Sequence, residues 1–113
     1  MELYYHHVDK DVLVLSADGG LDSANAETFV DELGRLVEAG ARKLIVDCSR
    51  LGFISSYGIT VLVRLHKKLA MRGGDVKLAA LDSTLTRLIA TMGLERLFQI
   101  YANVDEARRA FAD

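Results

Sequence analysis

The sequence contains no proline and no tryptophan, a single cysteine, and no excess of basic residues. Cys48 has no partner for an internal disulfide, which fits a reducing compartment. The 14 basic and 16 acidic residues give a formal net charge of −2, and they form no basic stripe that would bind a nucleic acid backbone. Direct binding of nucleic acid is therefore not expected.

Long apolar runs are lacking as well. Charged residues interrupt every apolar run before the roughly 20 residues that a membrane-spanning helix needs, and no secretion signal opens the sequence. We therefore expect a cytoplasmic protein that does not insert into a membrane. Half of its 113 residues are hydrophobic, which is enough for one domain to bury a core without disulfides or metals. Residues 1–113 are predicted to form this single domain.

Strand and helix patterns alternate along the chain. The β-prone runs LYYHH and DVLVLSA, separated by a polar turn at residues 8–11, predict a hairpin of two strands. KLIVD and DVKLAAL predict two further strands. Apolar residues at three- and four-residue spacing predict four helices, within residues 23–40, 57–74 and 82–93 and after residue 103. This order predicts an α/β fold, a mixed sheet of four to five strands flanked by about four helices.

The helix boundaries have local signals of their own. Preferred capping residues precede the first, third and fourth helices, and glycines follow the first three helices. The predicted N-caps are Asp22 or Ser23, Asp82 or Ser83, and Asn103 with Glu106 as a capping box; the predicted ends are Gly40, Gly73 and Gly93.

Two adjacent hydroxyl groups in the segment GFISSYG, residues 52–58, lie where a buried strand is followed by the second helix. One of them, Ser55 or Ser56, can cap the helix, which contributes about 1 kcal/mol. Capping leaves the other serine unexplained. A helix N-terminus also favours negative charge, so a modified serine would be tolerated here.

A catalytic interpretation of this segment is disfavoured. A serine followed by Gly58 resembles half of the nucleophile elbow of hydrolases, but such chemistry also needs a histidine base. His66 lies about three turns further along the helix, roughly 15 Å away at helical rise. His6 and His7 are adjacent on a predicted strand, so they point to opposite faces and cannot bind one metal ion together.

Cofactor motifs are also absent from the sequence. Cys48 has no C-x-x-C partner, so it is predicted to be a buried structural thiol. The glycine pairs in ADGGLD and RGGD match no phosphate-binding fingerprint and are predicted to lie in turns or at helix ends. We therefore expect no cofactor, no metal and no enzymatic activity.

Three segments together resemble the STAS domain of bacterial anti-sigma factor antagonists: VLVLSADGGLDSANAETF, KLIVDCSRLGFISSYGITVLVRLHKKL and GLERLFQIYANVDEA. The resemblance implies a mixed sheet flanked by helices and no catalysis. It also implies binding to an anti-sigma factor that is a serine/threonine kinase, release after phosphorylation, and a phosphatase that resets the cycle. The family's phosphoacceptor corresponds by position to Ser56, with Ser55 as the second candidate. Relatives often have Asp immediately before the phosphoacceptor and Ser or Thr immediately after it. This chain has Ser55 and Tyr57 at these two positions.

The resemblance further implies a partner-binding surface made of Asp22, Ser55, Ser56, Tyr57 and Gly58. Asp22 corresponds to an aspartate that lies near the phosphorylated loop in relatives. The replacement of the aspartate before the phosphoacceptor by Ser55 leaves a second hypothesis open, in which the chain is an unphosphorylated accessory subunit of a lipid-transport ATPase complex.

Overall fold

A computed structural model describes residues 2–9 and 11–112 of the chain. Within these ranges six strands alternate with four helices. The strands are β1 (Glu2–Asp9), β2 (Val12–Leu21), β3 (Lys43–Asp47), β4 (Leu51–Ile54), β5 (Asp75–Ala79) and β6 (Gln99–Tyr101). The helices are α1 (Ala26–Glu38), α2 (Ser56–Met71), α3 (Ser83–Thr91) and α4 (Val104–Ala112).

The sheet is mixed, as predicted. β1 and β2 form the antiparallel hairpin, in which Leu3 lies opposite Ala17 and His7 opposite Leu13. β1 continues to Asp9, so the turn is shorter than the predicted residues 8–11, and Lys10 lies outside the described residues. β2, β3, β5 and β6 run parallel to one another, giving the order β1-β2-β3-β5-β6. The prediction of an α/β fold with four helices is confirmed.

The structure has six strands rather than the predicted four to five, and neither β4 nor β6 is among the four segments predicted as strands. β4 pairs in parallel with the end of β2, where Leu21 lies opposite Ile54. The register of β2 shifts between Gly19 and Gly20, and Gly19 has a φ of 109°, a conformation that a residue with a Cβ rarely adopts. The prediction that these two glycines form a turn was wrong: they lie inside the long strand β2, and Gly52 of β4 is the extra residue at the register shift. Residues 52–54 of the GFISSYG segment accordingly belong to strand β4.

The two faces of the sheet are covered unequally. α1, α2 and α3 cover one face and form the larger core with Leu15, Leu44 and Leu78 of the central strands. α4 covers part of the other face, where Ala107 joins a smaller apolar cluster. Burying a leucine side chain contributes about 1.5–3 kcal/mol, so most of the stability comes from the larger core. None of the helices in the described residues combines the length and apolarity needed to span a membrane.

Most predicted helix ends are confirmed. Gly40, Gly73 and Gly93 follow the first three helices with φ values of 113°, 78° and 72°. The carboxylate of Asp82 accepts a hydrogen bond from the N–H of Leu85 at 2.8 Å and caps α3.

The fourth helix has the predicted capping pair in a modified form. The side chain of Asn103 accepts a hydrogen bond from the N–H of Glu106 at 2.8 Å. The Glu106 carboxylate reaches back to the N–H of Ala102 at 3.3 Å, one residue before the N–H that a capping box would use.

Candidate functional site

Ser55 connects strand β4 to helix α2 and is the N-cap of that helix. Its backbone is extended, with φ −77° and ψ 168°, and its Oγ accepts a hydrogen bond from the N–H of Gly58 at 3.1 Å. Its own N–H donates to the carbonyl of Leu21 at 2.8 Å, which ties this turn to the end of β2. The hydroxyl of Ser55 therefore has a structural role.

Ser56 is the first residue of α2 and is exposed. Its carbonyl accepts a hydrogen bond from Thr60 Oγ1 at 3.1 Å. Within residues 2–9 and 11–112, no side chain or backbone group is hydrogen-bonded to its hydroxyl. The first turn of α2 contains no acidic residue, so the unpaired N–H groups at this helix start retain their preference for negative charge.

Gly58 is buried where the helix start meets two strands. A Cβ at this position would lie 2.9 Å from Ile54 Cγ2, 2.9 Å from the Leu21 carbonyl oxygen and 3.0 Å from Leu21 Cγ. Only glycine fits between these atoms without displacement. Gly58, which was predicted to belong to the partner-binding surface, therefore sets the position of the turn and offers a partner little surface of its own.

Tyr57 is half-buried, and its ring packs against the larger core. Its hydroxyl donates a hydrogen bond to the carboxylate of Glu27 on α1. This hydrogen bond is the main reason that the pKa of Tyr57 is raised, and partial desolvation acts in the same direction. Tyr57 thus links the starts of α1 and α2.

Asp22 organises the turn between β2 and α1. Its carboxylate accepts hydrogen bonds from the N–H groups of Ala24 at 2.9 Å and Asn25 at 3.1 Å. α1 begins at Ala26 with Asn25 as its N-cap residue, so the prediction of Asp22 or Ser23 in that position was wrong. The Asn25 side chain makes no capping bond, because it donates to the Gly20 carbonyl and accepts from the N–H of Asp22.

Phe53 on β4 is a residue that sequence analysis missed. It is 55% exposed, two residues before Ser55. A Cβ on Gly20 would lie only 3.3 Å from Phe53 Cδ1, so the glycine on the neighbouring strand leaves space for the ring. The short β4 contains a glycine and lacks clear alternation, so no signal in the sequence indicated which way this ring points.

A family model described as the STAS domain matches residues 6–107. The chain belongs to the STAS domain family. It is 30% identical over 98 residues to the anti-sigma-F factor antagonist RsfB of Mycobacterium tuberculosis, covering 85% of this chain and 78% of RsfB.

Solved structures share this STAS fold. The crystal structure of an anti-sigma factor antagonist from Mycobacterium paratuberculosis matches with a TM-score of 0.90 and 25% identity, covering 99% of this chain and 94% of that one. The phosphorylated form of the Bacillus cell fate determinant SpoIIAA matches with a TM-score of 0.77 and 21% identity, covering 97% and 99%. At this identity, the second likeness concerns the fold alone.

The positions of the histidines and of Cys48 bear on the catalytic and metal-binding interpretations of this STAS domain. His66 lies ten residues after Ser56 on α2. Its ring packs edge-to-face with the ring of Phe98, with the ring centroids 5.6 Å apart, and its Nε2 lies 3.7 Å from the Asp75 carboxylate. Cys48 is buried, as predicted, and burial raises the pKa of its thiol to about 12. His6 and His7 are exposed on β1. In the part of the chain that the structure describes, no three His, Cys, Asp or Glu side chains are grouped to hold a metal ion.

Proposed function

We propose that this STAS domain is an anti-sigma factor antagonist that binds an anti-sigma factor and is released when Ser56 is phosphorylated. The observation that carries the proposal is the division of roles between the two serines. Ser55 Oγ is occupied as the cap of α2, whereas the Ser56 hydroxyl is exposed and has no hydrogen-bond partner among the described residues. The resemblance to RsfB and to other antagonists supports the same function.

The capping role of Ser55 also explains why this chain can have a serine where relatives often have an aspartate. Relatives often have an aspartate before the phosphoacceptor, and Asp and Ser are about equally good N-caps. In this chain Ser55 makes the capping bond to Gly58, so capping does not require the aspartate. The missing carboxylate therefore does not count against phosphorylation of Ser56.

Phosphorylation would act on binding rather than on folding. A phosphate on Ser56 adds about −1.5 to −2 charges, and the unpaired N–H groups of a helix start stabilise an anion there. A partner packed against Ser56 would have to desolvate this charge, which costs several kcal/mol if no cation is near. Because about 1.4 kcal/mol changes affinity tenfold, the complex would dissociate while the domain stays folded.

The proposed contact surface surrounds Ser56 and includes Ser55, Tyr57, Asp22 and the exposed ring of Phe53. Aromatic side chains at the centre of an interface often contribute most of the binding energy, which makes Phe53 the expected anchor. Tyr57 is half-buried, so it would contribute the exposed part of its ring. We propose that the anti-sigma factor is itself the serine kinase and that a separate phosphatase removes the phosphate.

Affinity capture followed by a phosphorylation assay would test this function. Wild-type protein, Ser56→Ala and Ser56→Asp are immobilised and exposed to lysate of the source cells, and the captured protein is identified by mass spectrometry. Wild type and Ser56→Ala should capture a protein with a histidine-kinase-like ATPase fold, and Ser56→Asp should lose it with an unchanged circular dichroism spectrum.

The captured kinase is then incubated with ATP and each variant. Wild type should be phosphorylated and Ser56→Ala should not. Thr60→Ala is the matched control, because it removes an exposed hydroxyl one turn further along the same helix, and it should be phosphorylated normally. Phosphate on Ser56→Ala, or full binding by a folded Ser56→Asp variant, would refute the proposal. Capture of a transporter ATPase instead would favour the accessory-subunit hypothesis.

A further inference from the structure

Strand β1 forms one edge of the sheet, and little in its sequence protects that edge. It is eight residues long, and β2 is its neighbour in the order β1-β2-β3-β5-β6. Residues 3–8 include no Asp, Glu, Lys or Arg, and the chain has no proline. Edge strands of soluble proteins usually carry such residues or are very short, because an open edge can pair with another strand. The opposite edge strand, β6, has only three residues.

The tyrosine and histidine side chains of β1 are also exposed. Tyr4 is 51% and Tyr5 is 48% exposed, and His6 and His7 are exposed as well. Because side chains alternate along a strand, Tyr5 and His7 lie on the face covered by α1 to α3, while Tyr4 and His6 lie on the face of α4. Another strand paired with β1 would contact aromatic side chains on both faces.

We propose that β1 pairs in antiparallel orientation with β1 of a second copy of this chain, around a two-fold axis at Tyr5. The sheet would then continue across the dimer. In this register Tyr5 lies opposite Tyr5 of the other copy, Tyr4 opposite His6, and Leu3 opposite His7. Aromatic cross-strand pairs of this kind stabilise antiparallel strands.

Strand length, side-chain alternation and charge select this register. An axis at Tyr4 would pair only residues 2–6, whereas the axis at Tyr5 pairs residues 2–8. Directly opposed residues must lie on the same face, which excludes an axis between Tyr5 and His6. An axis at His6 would oppose two imidazoles and would place Asp9 opposite Leu3, whereas the axis at Tyr5 leaves Asp9 beyond the paired residues.

The unequal edges explain why a second β1 is the expected partner strand. Pairing β1 with β6 of another copy would join about three residues and would continue into an open filament. Pairing β1 with β1 around Tyr5 uses residues 2–8, seven on each side, and closes after two copies. Helix α2, which begins at Ser56, packs against α1, β4 and β5. Pairing at β1 therefore uses a different part of the fold, and the proposal does not rest on the function of Ser56. Both Ser56 sites would therefore be present in one dimer.

Two variants that carry opposite charges at residue 5 test the position of the two-fold axis directly. We expect wild-type protein to be a dimer in light scattering coupled to gel filtration. Tyr5→Lys and Tyr5→Glu should each be monomeric, because identical charges would face each other at the axis. An equimolar mixture of the two variants should form a heterodimer. Ala90→Lys, on the exposed surface of α3, is the matched control and should remain a dimer.

A monomeric wild type at all concentrations, a dimeric Tyr5→Lys variant, or a mixture that stays monomeric would overturn the proposal. Hydrogen exchange on the wild-type protein is a second test of the dimer, and it does not require any variant to fold. Dilution should accelerate exchange of β1 amides and leave those of the central strand β3 unchanged. Exchange of β1 that does not depend on concentration would also overturn the proposal.

Discussion

Replacing Gly58 with alanine tests whether close packing sets the start of helix α2. The added Cβ would lie 2.9 Å from Ile54 Cγ2 and 2.9 Å from the Leu21 carbonyl oxygen. Both neighbours are buried, with 4% and 1% of their surfaces exposed, so neither can move into solvent. The helix start must shift away from β2 to accommodate the methyl group.

The expected magnitude follows from two opposing effects. Overpacking of a well-packed site typically costs about 1–3 kcal/mol. Alanine has a higher helix propensity than glycine, which offsets up to about 1 kcal/mol. With an offset of about 1 kcal/mol, we expect Gly58→Ala to lower the free energy of unfolding by up to about 2 kcal/mol.

Gly34→Ala on α1 provides a matched control, because the same substitution there meets only Lys68 Nζ at 3.8 Å, an ordinary contact. It should raise the free energy of unfolding by up to about 1 kcal/mol. Urea unfolding followed by circular dichroism measures both values, and the m-value should not change. A Gly58→Ala variant that is as stable as Gly34→Ala would refute the packing argument.

Three further predictions follow from the contacts of the site and the core. Ser55→Ala should lower the free energy of unfolding by about 1 kcal/mol because Gly58 N–H loses its acceptor, whereas Ser55→Asp should retain the cap; urea unfolding of both distinguishes them. Cys48 should not react with a thiol reagent near neutral pH until the protein unfolds. Because folding raises its pKa from 9.0 to about 12, its contribution to stability is complete below pH 9 and is lost toward pH 12, a dependence that Cys48→Ala should remove. Glu27→Ala should bring the raised pKa of Tyr57 back toward its ordinary value, measured by tyrosinate absorbance against Tyr57→Phe, and an unchanged titration would contradict the hydrogen bond.

Helix and strand positions were largely predictable because their signals are local. The hairpin, the four helices and the ends at Gly40, Gly73 and Gly93 all follow from patterns within a few residues of each element. The resemblance to the STAS family also depended on contiguous segments, one of which contains both candidate serines, Ser55 and Ser56.

Strand β4 and the positive φ of Gly19 inside β2 were not predictable in this way. β4 is four residues long, and its partner on β2 lies about thirty residues earlier in the chain. A glycine at an irregular point of a strand and a glycine in a turn have the same local signature, since both positions can favour a positive φ. Only the pairing of β2 with β4 distinguishes the two.

The sequence by itself determined that a pair of hydroxyls lies at the start of a helix, because strand and helix periods meet there. Which hydroxyl is available was decided by the tertiary structure. The carbonyl of Leu21 holds Ser55 in the extended conformation of a cap, and the fit of Gly58 against Leu21 and Ile54 sets where α2 begins. These contacts join residues far apart in the chain, so no local pattern could assign Ser55 to capping and leave Ser56 exposed.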